Sequence, residues 1–250
     1  MKNNKFENYN QVWTVILAAG KGTRMKAKNR NKVTYALKGK PMILRTISIL
    51  KETGIENILI VVGFAKDSVI RLLTPDIKVV EQRKRLGTAH AVKVALRKIP
   101  QSAKYILVLQ GDDSFLYSSQ NITNLINKHI RSKSEISFIT VELNNPYGLG
   151  RILRDKNNNV MGIIEEKDAT QKQRQIHEVN TASYIFNRDF LDKYINKIPK
   201  SKVTGEYYLP VLTDIAIKNS EKVETVKLTN FKWRGVNTPE ELQIAEKMIC

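Results

Sequence analysis

The chain has 250 residues, of which 42% are hydrophobic, and it carries a formal net charge of +18 at pH 7. This length can bury a full core in one domain, or in one domain with a small subdomain. No apolar run reaches the ~20 residues that a membrane-spanning helix needs, and the single cysteine, Cys250, excludes an internal disulfide and a cysteine metal cluster.

Residues 1–11 form a polar tail without the apolar segment of a signal peptide, so we expect a cytoplasmic protein. The positive charge would attract nucleic acid, membrane surfaces or phosphorylated substrates, or it reflects solvated lysine-rich faces. Because the basic residues are dispersed, solvated faces are favoured. The densest clusters are 26–32 and 83–85.

Strand and helix patterns alternate along the chain, which predicts an α/β fold with a doubly wound, mostly parallel central sheet. The predicted strands are 13–17, 55–62, 79–80, 105–109, 136–141, 179–186 and 223–228. The predicted helices are 41–54, 67–73, 88–98, 121–131, 187–196, 205–219 and 238 to the end. We expect Asp67 and Asn187 to cap their helices and Pro210 to kink or delay its helix.

Residues 144–168 differ in sequence pattern from the rest of the chain. Short strand-like pieces alternate there with asparagine-rich and glycine-rich turns. This pattern predicts a small hairpin-rich flap over the substrate side of the sheet.

The segment 17–25, Leu-Ala-Ala-Gly-Lys-Gly-Thr-Arg-Met, follows the first predicted strand. Gly20 and Gly22 allow the backbone N–H groups to curl around an anion, and Lys21 and Arg24 add positive charge. The loop therefore suggests a cradle for a polyphosphate, although a simple turn with solvated cations has the same composition. It lacks the third glycine of the dinucleotide fingerprint, where Met25 stands, and the Gly-Lys-Ser/Thr of a P-loop.

This loop resembles the signature loop of the sugar-phosphate nucleotidyltransferases, most closely the uridylyltransferase domain that begins a bacterial bifunctional enzyme. The resemblance spans roughly residue 13 to the C-terminus. Further motifs recur in the family's order: 86–91 Leu-Gly-Thr-Ala-His-Ala, 111–112 Gly-Asp, 164–169 Ile-Glu-Glu-Lys-Asp-Ala, 178–181 Glu-Val-Asn-Thr and 235–238 Gly-Val-Asn-Thr.

The resemblance implies a single nucleotidyltransferase domain over 1–250 with a Rossmann-like fold. It implies transfer of UMP from UTP to N-acetylglucosamine-1-phosphate with Mg²⁺, giving UDP-N-acetylglucosamine and pyrophosphate. In the bifunctional enzyme a β-helical acetyltransferase domain follows. We therefore expect this chain to lack acetyltransferase activity and the trimer contacts of that domain.

Asp112 is the candidate metal carboxylate because it follows the strand 105–109, and ligands bind at the carboxyl ends of strands in open α/β sheets. A turn-capping aspartate is the alternative. The resemblance adds Asn237 as the second metal ligand, although it could be an ordinary loop residue, and Arg24 and Lys32 as cations that act on the phosphates.

The position before Lys32 departs from the family pattern. Relatives usually place proline there, and this chain has Asn31. The departure leaves Lys28 or Arg30 as possible substitutes for Lys32.

The resemblance also implies two binding pockets. The nucleotide pocket would comprise Leu17, Ala18, Ala19, Gly20, Gly22, Gln82, Gly87 and Thr88. Gln82 has a donor and an acceptor, enough to read the imide edge of uracil, and Thr88 could cap a helix and face the base. His90 is interpreted as a packed or surface histidine.

The sugar pocket would comprise Gly150, Glu165 and Asn180, with Thr181 as a further candidate, and the segment 205–208 closing one side. Glu165 could instead be an ordinary surface charge. Two residues depart from the family pattern on this side: Leu149 replaces a tyrosine and Ala182 replaces a glycine. Beside Asp112, Asp113 is a second candidate for the metal carboxylate, although it stands at a position that is hydrophobic in close relatives.

Other functions remain open. The same fold could use another sugar-1-phosphate, or CTP or dTTP. A basic nucleic-acid-binding protein would need aromatic residues within a basic stripe, and aromatic residues are only 7% of the chain. A non-catalytic nucleotide-sugar sensor would not need Asp112 and Asn237. We therefore expect small-molecule substrates, with neither a specific nucleic acid nor a membrane as partner, and the oligomeric state is not predicted.

Overall fold

The computed structural model of the protein describes residues 9–25 and 29–249. Lys28, Cys250 and most of the polar segment 1–11 lie outside the described residues. Within the described part of the chain, no helix is both long enough and apolar enough to span a membrane.

Eleven strands are described. They are β1 (Val12–Ala18), β2 (Ala36–Leu37), β3 (Lys40–Pro41), β4 (Ile58–Val62), β5 (Lys78–Glu81), β6 (Tyr105–Gln110), β7 (Ile136–Glu142), β8 (Arg151–Arg154), β9 (Val160–Ile164), β10 (Glu178–Asn187) and β11 (Val223–Leu228).

Eight α-helices are described between and after these strands. They are α1 (Met42–Glu52), α2 (Lys66–Ile70), α3 (Thr88–Leu96), α4 (Ser119–Ser132), α5 (Gln171–Arg174), α6 (Arg188–Tyr194), α7 (Val211–Lys218) and α8 (Pro239–Met248).

The main sheet has the strand order β11-β7-β10-β6-β1-β4-β5, and the hairpin β8–β9 joins it beside β10. β10 runs antiparallel to β6 and β7, whereas the pairs β1–β6, β1–β4, β4–β5 and β7–β11 are parallel. Because β10 runs the opposite way, its first residues lie at the edge where the neighbouring strands end: Glu178 pairs with Glu142, the last residue of β7. This edge therefore collects strand ends and the start of β10.

Helices cover both faces of the sheet, as the doubly wound prediction requires. Along β1, Val15 packs into one buried cluster with Val92 of α3, and Ile16 packs into another with Ile47 of α1. Alternate residues of a strand point to opposite faces, so one apolar strand supplies both layers of the core. The mostly parallel α/β fold predicted from the sequence is confirmed.

The predicted elements correspond to observed ones, with local differences. Pro210 delays its helix, since α7 begins at Val211, and Asn187 caps α6 through its side chain. The capping role predicted for Asp67 is wrong. Ala65 precedes α2 with φ 48° and is its N-cap residue. Asp67 lies inside the first turn, where its negative charge stabilises the helix by interacting with the helix dipole.

His129 of α4 is fully buried, with its Nδ1 2.9 Å from Ser137 Oγ. Among the residues that the structure describes, its Nε2 has no hydrogen-bond partner. Burial lowers the pKa of His129 from 6.5 to about 4. The folded protein therefore favours the neutral ring. The resulting stabilisation is present above pH 6.5 and is lost as the pH falls towards the folded pKa.

We predict that His129→Gln, which retains a hydrogen-bonding side chain without a titration, flattens this dependence. Between pH 7.5 and 5 the unmodified protein should lose about 2 kcal/mol more unfolding free energy than the variant. Urea unfolding at both pH values measures this difference. Equal losses in the two proteins would contradict the assignment.

Candidate active site

Two cavities open at the edge where the parallel strands end, and they meet at the carboxyl end of β6. The loop cavity, about 430 Å³, is lined by residues of the glycine loop and of the segment 82–91. The hairpin cavity, about 450 Å³, is lined by residues of β10, by residues on either side of the hairpin β8–β9 and by the segment 233–237. Gln110 and Asp112 line both cavities, so a molecule in one can reach a molecule in the other.

The loop cavity contains all eight residues predicted for the nucleotide pocket, and Lys32 as well. Gly20 and Gly22 lie at its edge, and Gly22 has φ +58°, which suits glycine. Lys21 is exposed beside them. The loop therefore presents backbone and positive charge to one space, as an anion cradle requires.

Asn31 is the residue that holds the glycine loop in place. Its side chain is buried and donates to the carbonyls of Ala18, at 2.9 Å, and Phe64, at 2.8 Å. Its Oδ1 accepts from the N–H of Val33 at 3.1 Å. Asn31 thus connects the end of β1, the second residue after β4 and the turn that carries Lys32. Arg30 is not a substitute for Lys32 in this arrangement, because it bonds Thr34 and lies over the Tyr35 ring.

Asp112 and Asn237 come together although they are far apart in the chain. The N–H of Val236 donates to the Asp112 carbonyl at 3.0 Å, which places Asn237 beside the end of β6. The Lys32 ammonium contacts the Asp112 carboxylate and lies 3.0 Å from Asn237 Oδ1. Two oxygen-bearing side chains therefore converge on one cationic position.

Glu241, in the first turn of α8, orients Asn237. Its Oε2 accepts from the backbone N–H of Asn237 at 2.8 Å, and its Oε1 pairs with Arg234 at 3.1 Å. Thr238 caps the same helix by accepting from the Glu241 N–H. The start of α8 thus holds the backbone of Asn237 in place.

Gln82 is buried at the loop cavity and uses its amide nitrogen twice. Nε2 lies 3.0 Å from the Gly87 carbonyl and 3.0 Å from His90 Nδ1. His90 is therefore a partner of Gln82 as well as a half-buried helix residue. Burial, followed by Lys93 and Arg97, lowers the pKa of His90 below its ordinary value.

The prediction that Thr88 caps its helix is wrong. Gly87 is the N-cap, and no side-chain cap bond forms there. Thr88 Oγ1 instead accepts from the N–H of Leu209 at 2.9 Å, while the Tyr207 N–H donates to the Leu86 carbonyl. The segment 205–208, predicted beside the sugar, therefore closes the loop cavity, which Glu206 also lines.

The hairpin cavity contains Gly150, Glu165 and Asn180, the three residues predicted to bind the sugar. The N–H of Asn180 donates to the Gly150 carbonyl at 2.9 Å, and a Cβ on Gly150 would lie 3.4 Å from Glu165 Oε1. Burial raises the pKa of Glu165. Arg24 lines this cavity together with Asp112, so it lies on the hairpin side of the junction.

β10 is irregular where it lines the hairpin cavity. Its pairing with β7 shifts register between Asn180 and Tyr184, and Ala182 adopts φ 57° inside the strand. Asn180 Oδ1 accepts from the Ala182 N–H at 2.9 Å, and its Nδ2 donates to the Tyr184 hydroxyl at 2.7 Å. The bulge therefore holds the Asn180 amide in a defined orientation.

The other two departures from the family pattern also line the hairpin cavity. Asp113 is buried, and its Oδ1 has no hydrogen-bond partner in the described part of the chain. Burial, followed by the Asp112 charge, raises the pKa of Asp113 well above its ordinary value. Leu149 contributes an apolar side chain.

Sequence reasoning did not identify Asn31, His90 and Glu241 as positioning residues. Asn31 bonds segments distant in the chain. His90 bonds Gln82 across the turn between them, and Glu241 bonds the backbone of Asn237, four residues before it. The Thr-Pro-Glu-Glu sequence at 238–241 indicated a helix start but carried no sign that its second glutamate faces Asn237.

A family model described as "Nucleotidyl transferase" matches residues 13–249. The relative from Thermoanaerobacter pseudethanolicus, named "Bifunctional protein GlmU", is 36% identical over 236 residues, which cover 94% of this chain and 51% of that protein. A protein of the same name from Staphylococcus epidermidis is 36% identical over 240 residues, 96% of this chain and 53% of that protein. The chain thus spans about half the length of these curated relatives.

Among solved structures, a putative glucose-1-phosphate thymidylyltransferase from Bacillus anthracis, in complex with a sucrose, has a similar fold. The TM-score is 0.81 at 20% sequence identity, covering 95% of this chain and 94% of that one. At this identity the likeness concerns the fold alone.

Two glycines of the loop cavity should respond differently to alanine. A Cβ on Gly87, which has φ +96°, would lie 2.5 Å from the Tyr207 carbonyl oxygen, whereas a Cβ on Gly20 meets no atom of residues 9–25 and 29–249 within 4 Å. We predict that Gly87→Ala lowers the unfolding free energy by about 3 kcal/mol, and that Gly20→Ala leaves it within about 1 kcal/mol. Urea unfolding measures both, and equal effects would refute this packing.

Proposed function

Because the chain belongs to the nucleotidyl transferase family, we propose that it transfers UMP from UTP to N-acetylglucosamine-1-phosphate. The products are UDP-N-acetylglucosamine and pyrophosphate. The observation that carries the proposal is the position of Asp112 at the junction of the loop cavity and the hairpin cavity. The curated relatives and the ordered family motifs support the choice of substrates.

In this reaction a phosphate oxygen of the sugar phosphate attacks the α-phosphorus of UTP. The new P–O bond forms as the bond between the α-phosphorus and the bridging oxygen breaks, and pyrophosphate leaves with that electron pair. Because both reactants are anions, positioning and positive charge supply most of the catalysis. Two cavities that meet at one point suit such an in-line attack.

The loop cavity would hold the triphosphate. Backbone N–H groups near Gly20 and Gly22 can face phosphate oxygens, as in other glycine-rich anion sites. Lys21 and Arg85 line the same cavity and are exposed cations at its mouth. Their flexible charges would attract the nucleotide and neutralise part of its charge.

Asp112 and Asn237 would hold Mg²⁺. Carboxylate and amide oxygens are suitable ligands for this ion, which keeps several waters and binds substrate phosphates as well. The residues fit, because both oxygens already converge on one cation, the Lys32 ammonium. When bound, Mg²⁺ stabilises the negative charge that develops on the phosphates.

Lys32 and Arg24 would act from the two sides of the junction. Lys32 lines the loop cavity and Arg24 lines the hairpin cavity. Lys32 offers a mobile point charge, and the Arg24 guanidinium can hold a phosphate through two hydrogen bonds. Together they would bring the attacking phosphate to the α-phosphate against the repulsion of like charges.

The base would lie against Gln82. Within residues 9–25 and 29–249, both hydrogen-bond contacts of the Gln82 amide involve Nε2, so Oε1 is the atom that would accept from a base. The N–H at position 3 of uracil is a donor of the required kind. Thymine has the same group, whereas cytosine carries an acceptor at that position.

The acceptor sugar would lie between Gly150, Glu165 and Asn180. Glu165 can accept from sugar hydroxyls. The Asn180 amide has two bonds within the protein, which leave one N–H and one lone pair for a hydroxyl or an acetamido group.

A substrate panel tests the proposal directly. UTP, dTTP, CTP and ATP are each combined with N-acetylglucosamine-1-phosphate and with other hexose-1-phosphates in the presence of Mg²⁺, and pyrophosphate release is measured. We expect the highest kcat/KM with UTP and N-acetylglucosamine-1-phosphate. Better use of CTP or dTTP would reject the assignment of the base, and better use of another sugar would reject the assignment of the acceptor.

Asp112→Asn tests the metal site. We predict that turnover falls at least about 100-fold, a typical cost for losing one electrostatic group of a catalytic site, and that Mn²⁺ binding, measured by electron paramagnetic resonance, weakens. Thermal unfolding checks that the variant is folded. Asp76→Asn, which alters a surface carboxylate paired with Lys51, is the matched control. Unchanged Mn²⁺ binding in Asp112→Asn would remove Asp112 from the site.

A further inference from the structure

The side chain of His90 faces Gln82 rather than solvent alone. His90 Nδ1 lies 3.0 Å from Gln82 Nε2, and the carbonyl of Gly87 lies 3.0 Å from the same nitrogen. The Gly87 carbonyl can only accept a hydrogen bond. The amide group that faces it must therefore be the NH₂ group of Gln82, so the orientation of the amide follows from its partner.

The second N–H of Gln82 then points at His90 Nδ1, which must accept. An imidazole accepts at Nδ1 only when that nitrogen is unprotonated, which in the neutral ring places the proton on Nε2. The surroundings favour a neutral ring, because burial, Lys93 and Arg97 all lower the pKa of His90. Both hydrogens of the Gln82 amide are thus engaged.

We propose that His90 is a positioning residue that fixes the polarity of the Gln82 amide and so contributes to the choice of pyrimidine. With both hydrogens engaged, Gln82 presents Oε1 to the loop cavity. The base must then offer an N–H to this oxygen. A reversed amide would present an N–H instead and would favour a base with an acceptor at that point.

His90 raises the free-energy cost of reversing the Gln82 amide. A reversed amide loses the bond to Gly87, and when His90 is present it also loses the second bond unless the ring proton moves from Nε2 to Nδ1. When the acceptor of His90 is absent, reversal costs only the bond to Gly87. One hydrogen bond of this kind corresponds to roughly a two- to tenfold change in an equilibrium. Removing the His90 acceptor should therefore let the reversed amide compete.

This inference rests on the proposed function, since it assumes that the loop cavity binds a pyrimidine nucleotide. It does not depend on which pyrimidine is preferred. The substrate panel decides that preference with the unmodified protein, and the test of His90 measures only how the preference changes.

The experiment compares His90→Leu with His90→Asn. Leucine has a similar volume but no acceptor, whereas the asparagine Oδ1 places an acceptor close to the position of the imidazole Nδ1. His177→Leu, at an exposed histidine whose Nδ1 contacts the Leu143 carbonyl, is the matched control. For each protein, kcat/KM is measured with UTP and with CTP, together with the KM for the sugar phosphate and the melting temperature.

We expect His90→Leu to lower the selectivity between the two pyrimidine nucleotides about fivefold, towards equal use. His90→Asn should restore most of the selectivity, and His177→Leu should leave it unchanged. The KM for the sugar phosphate should stay within twofold in all variants. This pattern separates positioning of the base from a structural role, which would alter both substrates or the melting temperature.

A selectivity change of less than twofold in His90→Leu would overturn the inference, and so would an equal loss in His90→Leu and His90→Asn. If neither nucleotide is turned over, the proposed function fails. The selectivity is then the ratio of the UTP and CTP dissociation constants, measured by calorimetry in the unmodified protein and His90→Leu. An unchanged ratio, or binding of neither nucleotide, would overturn the inference as well.

Discussion

One ammonium group joins the parts of the candidate site. Lys32 lies 80 residues before Asp112 and 205 residues before Asn237, yet its Nζ contacts an oxygen of each. A partly buried charge must be paired or well hydrogen-bonded to be tolerated. The contact therefore requires that the turn after the glycine loop, the end of β6 and the segment before α8 all lie in place. Because Asp112 lines both cavities, the placement of these three segments also sets where the loop cavity and the hairpin cavity meet.

The direction of β10, which runs antiparallel to its neighbours β6 and β7, explains the second cavity. A parallel strand in that position would bring its carboxyl end to the site. β10 instead brings its first residues there, and these carry Asn180. The bulge that follows contains Ala182 in the left-handed region, which costs an alanine about 1–2 kcal/mol. In return the Ala182 N–H orients the Asn180 side chain, so local strain is placed where a defined amide orientation is useful.

Several residues of the site act by holding others. Asn31 fixes the turn of Lys32, Glu241 fixes Asn237, and His90 together with the Gly87 carbonyl fixes Gln82. Groups that interact with a developing charge or a base edge are effective only when their orientation is set before the ligand binds. The hydrogen bonds around the two cavities provide this preorganisation from elements that are otherwise remote from the chemistry.

The fold class and the position of Asp112 could be predicted from the pattern of the sequence, and the other candidate residues came from the resemblance to the nucleotidyltransferases. Apolar strands alternating with amphipathic helices require a covered, mostly parallel sheet, and a carboxylate just after a buried strand must lie at its carboxyl edge, which is why Asp112 could be predicted. The residues that hold these candidates in place became visible in the folded chain. The hydrogen bonds of Asn31 to Ala18 and Phe64, and the position of Arg24 on the hairpin side, depend on distances between segments far apart in the chain. Local spacing contains no information on such distances, because they are set when the whole core packs.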